Sequence, residues 1–209
     1  TEGYTLQKTK FIWPKIISRA LPDYKYKNYG EGASSPLFIL RQIVNNLSNI
    51  KSGDKVFLLE TIPDRVEVYS KELNNIISIT NGHLTDAVNS KDNIHFESYE
   101  DILSAFNFVY DHRFRKMDKF ELFFREMYLS FGKYFKTIDV EFILIPYNLS
   151  FDNIRYQDKF ETTKQATKGK NEDTHFSILG HWQFANYINE TYLNSSLNIE
   201  DEPKEKNII

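Results

Sequence analysis

The sequence contains no cysteine, which excludes a disulfide framework, a thiolate zinc site and a thiol nucleophile. Chemistry is left to Ser, Thr, Asp, Glu, His or Lys. The same absence fits reducing and oxidising compartments alike, with the cytoplasm as the first reading. No apolar run approaches the roughly 18 to 20 residues that span a bilayer, and no charged and then apolar leader pattern opens the chain. Charge of one sign is not in excess either. The 26 Lys and Arg face 29 Asp and Glu, a formal net charge of −3, so no general attraction for nucleic acid is expected. Glycine and proline are sparse, at 8 and 6, and the few places where they cluster therefore carry the punctuation of the fold.

What the chain does have is aromatic bulk. Its 209 residues include 17 Phe and 13 Tyr and are 41% hydrophobic, enough to build the core of one α/β domain with a cleft beside it. Residues 1–198 read as that single domain, and residues 199–209, rich in Glu, Asp and Lys, as a disordered, solvated tail.

Apolar spacing and cap residues place the elements. Phe11 to Leu21 predicts a short helix with Pro14 in its first turn. Tyr24 to Tyr29 alternates Tyr with polar residues in the manner of a strand. After a turn at Gly30 and Gly32, Ser35 and Pro36 open a helix with Leu37, Leu40, Val44 and Leu47 on one face. Lys55 to Leu59 is a short buried strand, and Leu73 to Ile77 and Ile102 to Phe108 carry weak helical patterns. Arg113 to Phe135 steps by three and four through Met117, Phe120, Phe124, Met127, Phe131 and Tyr134, which predicts a long amphipathic helix. Val140 to Tyr147 is a strand, Asp152 to Asp173 a polar loop, and Leu179 to Leu193 a final helix. Helices alternating with short buried strands predict a three-layer α/β/α sandwich around a mostly parallel sheet, flavodoxin-like in outline.

The segment EDTHFSILGHWQFANYINETY, Glu172 to Tyr192, resembles the last sequence block of SGNH/GDSL hydrolases, at Asp173, His175, Ser177, Gly180 and Ala185. Upstream, NYGEGASS, Asn28 to Ser35, resembles that family's second block. The resemblance implies a serine esterase with no cofactor and no metal, acting on a small-molecule or glycan ester such as an O-acetylated carbohydrate. It implies His175 as general base and Asp173, or Glu172 one residue earlier, as the acid that orients it. Gly32, with Gly30 second, would donate a backbone N–H to the oxyanion, where a missing Cβ lets the backbone approach the reacting carbonyl. The family's third block supplies an Asn after a buried strand. Here the strand is followed by Glu60 to Arg65 with no Asn, and Thr61 or Arg65 stands in its place. Thr1-Glu2-Gly3 resembles the tail of the Gly-Asp-Ser block, which places the nucleophilic serine upstream of Thr1 and makes the domain incomplete at its amino end.

Other readings stand beside this one. Asp173, His175 and His181 could serve a metal-dependent hydrolase, although His181 reads more simply as a histidine that packs or hydrogen-bonds at a helix start. A degenerate family member could bind a glycan or a protein through the same cleft. Ser34 lacks the closing Gly of a nucleophile elbow and reads as part of a helix cap. Arg113, Arg115, Lys116 and Lys119 share their helix with acidic residues and read as a solvated face.

Overall fold

The structure, a computed structural model, describes residues 11–30, 34–61, 66–70, 75–79, 122–146, 159–166, 168 and 175–203. It is mixed α/β. The chain divides into two compact units, one formed by Thr1–Gly32 with Pro146–Ile209 and the other by Ala33–Ile145. No helix among the described residues is long and apolar enough to cross a membrane.

In the first unit, α1 (Trp13–Arg19) begins with Pro at its amino end, where a missing N–H costs nothing, and carries Arg19 in its last turn, where a cation suits the helix dipole. It packs on the long carboxyl-terminal helix, residues Ile178–Tyr192. Ile12, Trp13, Ile16 and Ile17 are buried, as are Phe184, Ala185 and Ile188, and the Trp13 ring meets Phe184 edge-on at 5.6 Å. Residues 24–29 form no strand. Tyr24 and Tyr29 are both exposed and Tyr26 is only partly covered, so the alternation has little buried face to reward it.

In the second unit, α2 (Pro36–Asn46) starts as its sequence predicts. Ser35 is the N-cap, with its hydroxyl accepting the Phe38 N–H at 2.9 Å, and Pro36 follows. The helix tightens into a 3-10 turn at Leu47–Asn49. Its buried face is the expected one only in part: Leu40 is buried and Leu47 packs against the core, but Ile43 is buried too, whereas Leu37 and Val44 are exposed. The run PLFILRQIV is apolar nearly all round, so periodicity alone leaves the inward face open.

β1 (Lys55–Leu59) follows the Ser52-Gly53 turn. β2 (Val66–Ser70) and β3 (Asn75–Ile79) form an antiparallel pair with Val66 opposite Ile79 and Ser70 opposite Asn75. Of the helical pattern expected near Leu73 to Ile77, the described part, from Asn75, is corrected to a strand, in keeping with the β-branched residues of NIISI. The described part of α3 covers residues 122–137, and β4 (Glu141–Ile145) follows it and stops before Pro146. β1 and β4 pair in parallel, Lys55 opposite Glu141 through Leu59 opposite Ile145, with a Lys55–Glu141 ion pair at the first rung.

The described strands thus form one parallel and one antiparallel pair, each a separate two-stranded sheet. Leu40, Ile43, Leu58, Phe124, Tyr128, Phe135 and Val140 make the core. α3 buries Phe124, Tyr128 and Phe135, and the expected Tyr134 faces out. Gly132 gives the Phe142 ring its place, since a Cβ there would stand 2.8 Å from the ring. Met117, Phe120 and the basic cluster around Arg115 lie outside the described residues, as does Ile102 to Phe108.

The polar loop expected after Asp152 contains a short helix, α4 (Thr163–Ala166). Thr162 and Gln165 form a reciprocal cap: the Thr162 N–H donates to the Gln165 side-chain oxygen at 2.8 Å, and the Gln165 N–H to the Thr162 hydroxyl at 3.4 Å. The long helix of the first unit is α5 (Ile178–Tyr192). Beyond it, Asn189 clamps Leu197 through both ends of its amide, donating to the carbonyl at 2.9 Å and accepting the N–H at 3.0 Å. Glu200, in the stretch expected to be a solvated tail, forms an ion pair with Arg19, and its carbonyl accepts the Trp182 indole N–H at 2.9 Å.

Candidate functional site

The start of α5 is fastened by a cap, backbone pairing and ring packing. Ser177 has extended backbone and caps the helix, its hydroxyl accepting the Gly180 N–H at 3.0 Å and donating to the Glu161 carboxylate at 2.6 Å. The Ser177 N–H donates to the Glu161 carbonyl at 3.1 Å, and the Glu161 N–H donates to the Gln183 side chain at 2.9 Å. One residue further on, Thr162 forms an antiparallel bridge with Phe176. Gly180 sits where the Glu161 carbonyl would overlap any Cβ, so only glycine fits. Phe176 meets Phe160 edge-on at 5.9 Å and His181 at 5.4 Å.

His175 is exposed and immediately precedes this fastened segment. Its imidazole is therefore carried on a lead-in whose next two residues are fixed by backbone pairing, ring packing and a cap. Asp173 and Glu172 lie outside the described residues. Of the other residues in the resemblance, Ser177, Gly180 and Ala185 are all buried, and each serves the seating of α5.

His181 is the opposite of His175. It is 2% exposed, and its Nδ1 accepts the Trp13 N–H at 3.3 Å. The amino end of α1 needs that acceptor, because Ile12 at the N-cap position has no side-chain oxygen to satisfy the orphan donors of the first turn. Burial, reinforced by nearby positive charge including His175, pushes the His181 pKa down to about 3, so the ring is neutral. With Nδ1 committed to Trp13, His181 is a core histidine rather than a metal ligand paired with His175. Among the described residues, no three His, Asp or Glu side chains come together in a way that could hold a metal.

The candidate oxyanion donors divide between the units. Gly30 is exposed, and its N–H donates to its near neighbour Asn28 at 3.1 Å. Gly32 and Arg65 lie outside the described residues. Thr61 follows β1 as expected, but its hydroxyl donates to the Ser34 carbonyl at 2.7 Å.

Two acidic residues at this end of the second unit carry interactions that sequence reasoning missed. Glu67 is nearly buried and accepts from the Ser35 hydroxyl at 2.8 Å and from Arg41 in a two-pronged pair, which holds the guanidinium above its usual pKa. Alternation in VEVYS puts Glu67 on the face away from Val66 and Val68, which reads as the solvent side, and its partners are 26 and 32 residues away. Glu60, at the exit of β1, donates its N–H to the Ile145 carbonyl at 2.9 Å and faces the Arg125 guanidinium at 3.7 Å. Burial, and then the Glu60 charge, push the Tyr128 hydroxyl pKa up. That hydroxyl donates to the Pro36 carbonyl at 3.3 Å.

No protein-family model, no curated protein and no solved structure matches the chain.

Proposed function

We propose that the chain belongs to a serine esterase of the SGNH type that hydrolyses or transfers an O-linked acyl group, with a short acyl on a carbohydrate as the first substrate to try. His175 is the general base, Asp173, with Glu172 as its alternative, orients it, and the Gly32 backbone, with Gly30 second, donates to the oxyanion. The nucleophile is a serine outside Thr1 to Ile209. His175 takes the serine proton as the oxygen attacks the acyl carbon, then returns it to the departing alkoxide; water repeats the sequence and frees the acid.

The observation that carries this reading is the contrast at the start of α5. An exposed histidine sits on a segment held by Ser177, Gly180 and Phe176. A general base has to be presented to within about 0.5 Å of its productive position, and the fastening to Glu161 and Thr162 supplies that rigidity. A carboxylate two or three residues before the imidazole can then fix its tautomer.

The test uses the full-length protein with p-nitrophenyl acetate and a fluorophosphonate probe. His175→Ala is expected to lower kcat by at least about a thousandfold with unchanged circular dichroism, and the probe is expected to label a serine outside Thr1 to Ile209. Wild-type turnover in His175→Ala would sink the assignment. A second reading, a non-catalytic module that binds a glycan or protein, is favoured by the engagement of Thr61 with Ser34 and of Gly30 with Asn28. It predicts no labelling and no turnover.

A further inference from the structure

The outward side of α3 carries a short apolar stripe. Leu122 and Leu129 are 56% and 50% exposed, and Arg125 and Glu126 between them are exposed as well. The spacing i, i+3, i+4, i+7 puts these four side chains on one face of the helix, turned away from Phe124, Tyr128 and Phe135, which fill the core. Two exposed leucines carry no meaning alone. Their setting does, because the order apolar, basic, acidic, apolar is its own complement when the helix is reversed. Arg125 is also steadied from its own unit, with Glu60 facing its guanidinium at 3.7 Å.

We infer that this face docks a second copy of the chain, α3 against α3, antiparallel about a two-fold axis that passes between Arg125 and Glu126. In that register Leu122 of one copy meets Leu129 of the other, and Arg125 of each meets Glu126 of the other, so every contact occurs twice, as a two-fold interface requires. A parallel pair would also set leucine on leucine. It would, however, place Arg125 against Arg125 and Glu126 against Glu126, which like charges oppose. Beyond Leu129 the same side of the helix turns basic at the exposed Lys133 and Lys136, which ends the apolar stripe. The contact is small, in the class of transient interfaces below about 1,200 Å². The pair is therefore weak and forms only as concentration rises. This inference is independent of the esterase reading.

The experiment is sedimentation equilibrium of the full-length protein from about 1 to about 300 µM, with circular dichroism and thermal unfolding of every variant. Wild type is expected to rise from the mass of one chain towards that of two. Leu129→Glu, which sets a charge against leucine in the contact, should stay at one chain over the same range with its circular dichroism unchanged. Glu126→Arg and Arg125→Glu each bring like charges together and should weaken the dimer at least about tenfold. Mixed in equal amounts, these two variants should dimerise again, because the mixed pair has opposite charges at both contacts. Leu129→Glu and Glu126→Arg decide the question should Arg125→Glu, which also faces Glu60, fail to fold. A wild type that stays a single chain throughout overturns the inference, and a lowered unfolding midpoint in Leu129→Glu then shows that another part of the same chain covers this face. A dimer that Leu129→Glu leaves intact, or a mixture of the two folded charge variants no tighter than either alone, overturns it as well.

Discussion

Nδ1 of His181 accepts the backbone N–H of Trp13 at 3.3 Å, so the amino end of α1 is capped by a side chain that arrives from α5, 168 residues later. A ring that accepts at Nδ1 is neutral and carries its proton on Nε2. Protonating Nδ1 removes the acceptor and places a charge among Phe176 and its neighbours.

Acid should therefore weaken the first unit through this one residue. The His181 pKa is about 3 in the folded chain against 6.5 when exposed, so between those values the unfolded chain binds a proton that the folded chain refuses. Stability is expected to be complete above pH 6.5 and to fall with pH down to about 3, by at most about 1.4 kcal/mol per pH unit from this group. Urea unfolding of wild type and His181→Gln at pH 7.5 and pH 5 checks it. The glutamine variant, which keeps an acceptor but does not titrate, should lose less stability between the two. Equal losses would dissociate the pH dependence from His181.

Gly180→Ala should cost about 3 kcal/mol, at the upper end for overpacking, because the atom in the way is the Glu161 carbonyl oxygen and backbone cannot swing aside like a side chain. The measurement is the urea midpoint. Gly132→Ala is the informative comparison, since there a Cβ meets only the Phe142 ring, which can shift, and the loss should be smaller.

The segment after α5 should depend on Asn189 and little on Glu200. Asn189 is buried and makes two bonds to Leu197, so Asn189→Ala is expected to cost about 2 kcal/mol. The Arg19–Glu200 pair is exposed on both sides, and Glu200→Gln should cost under about 1 kcal/mol, less still in high salt. Chemical denaturation of the two variants tests the ordering.

Local signals in the sequence read well where the physics is local. Ser35 with Pro36 announces the start of α2, the apolar run before Pro146 announces β4, and Pro14 marks the start of α1. Reading fails where a distant contact decides. Nothing near Leu37 or Val44 says that Ile43 joins Leu40 in the core in their place, and the Tyr24 to Tyr29 alternation forms no strand. At the candidate site, the helix after His175 was legible from its apolar spacing. The reason Gly180 must be glycine was not, because Glu161 lies 19 residues earlier with no pattern to link them. Thr162 with Gln165 was a local signal left unread, a capping pair inside what looked like featureless loop.

The two parallel strands of the second unit are locked together at their starting ends. The Gly53 N–H donates to the Asp139 carbonyl at 2.8 Å, the Ser52 hydroxyl to the Asp139 carboxylate at 3.0 Å, and the Glu141 N–H to the Asp54 carbonyl at 2.9 Å. Gly53 and Asp139 both hold left-handed backbone, at φ 87° and 58°, a conformation few residues accept. One edge of the pair is thus closed to insertion and to most substitution. An added residue in either connection at this end would have to break these bonds or force a side chain into left-handed backbone, so the register of the pair is set where the strands begin.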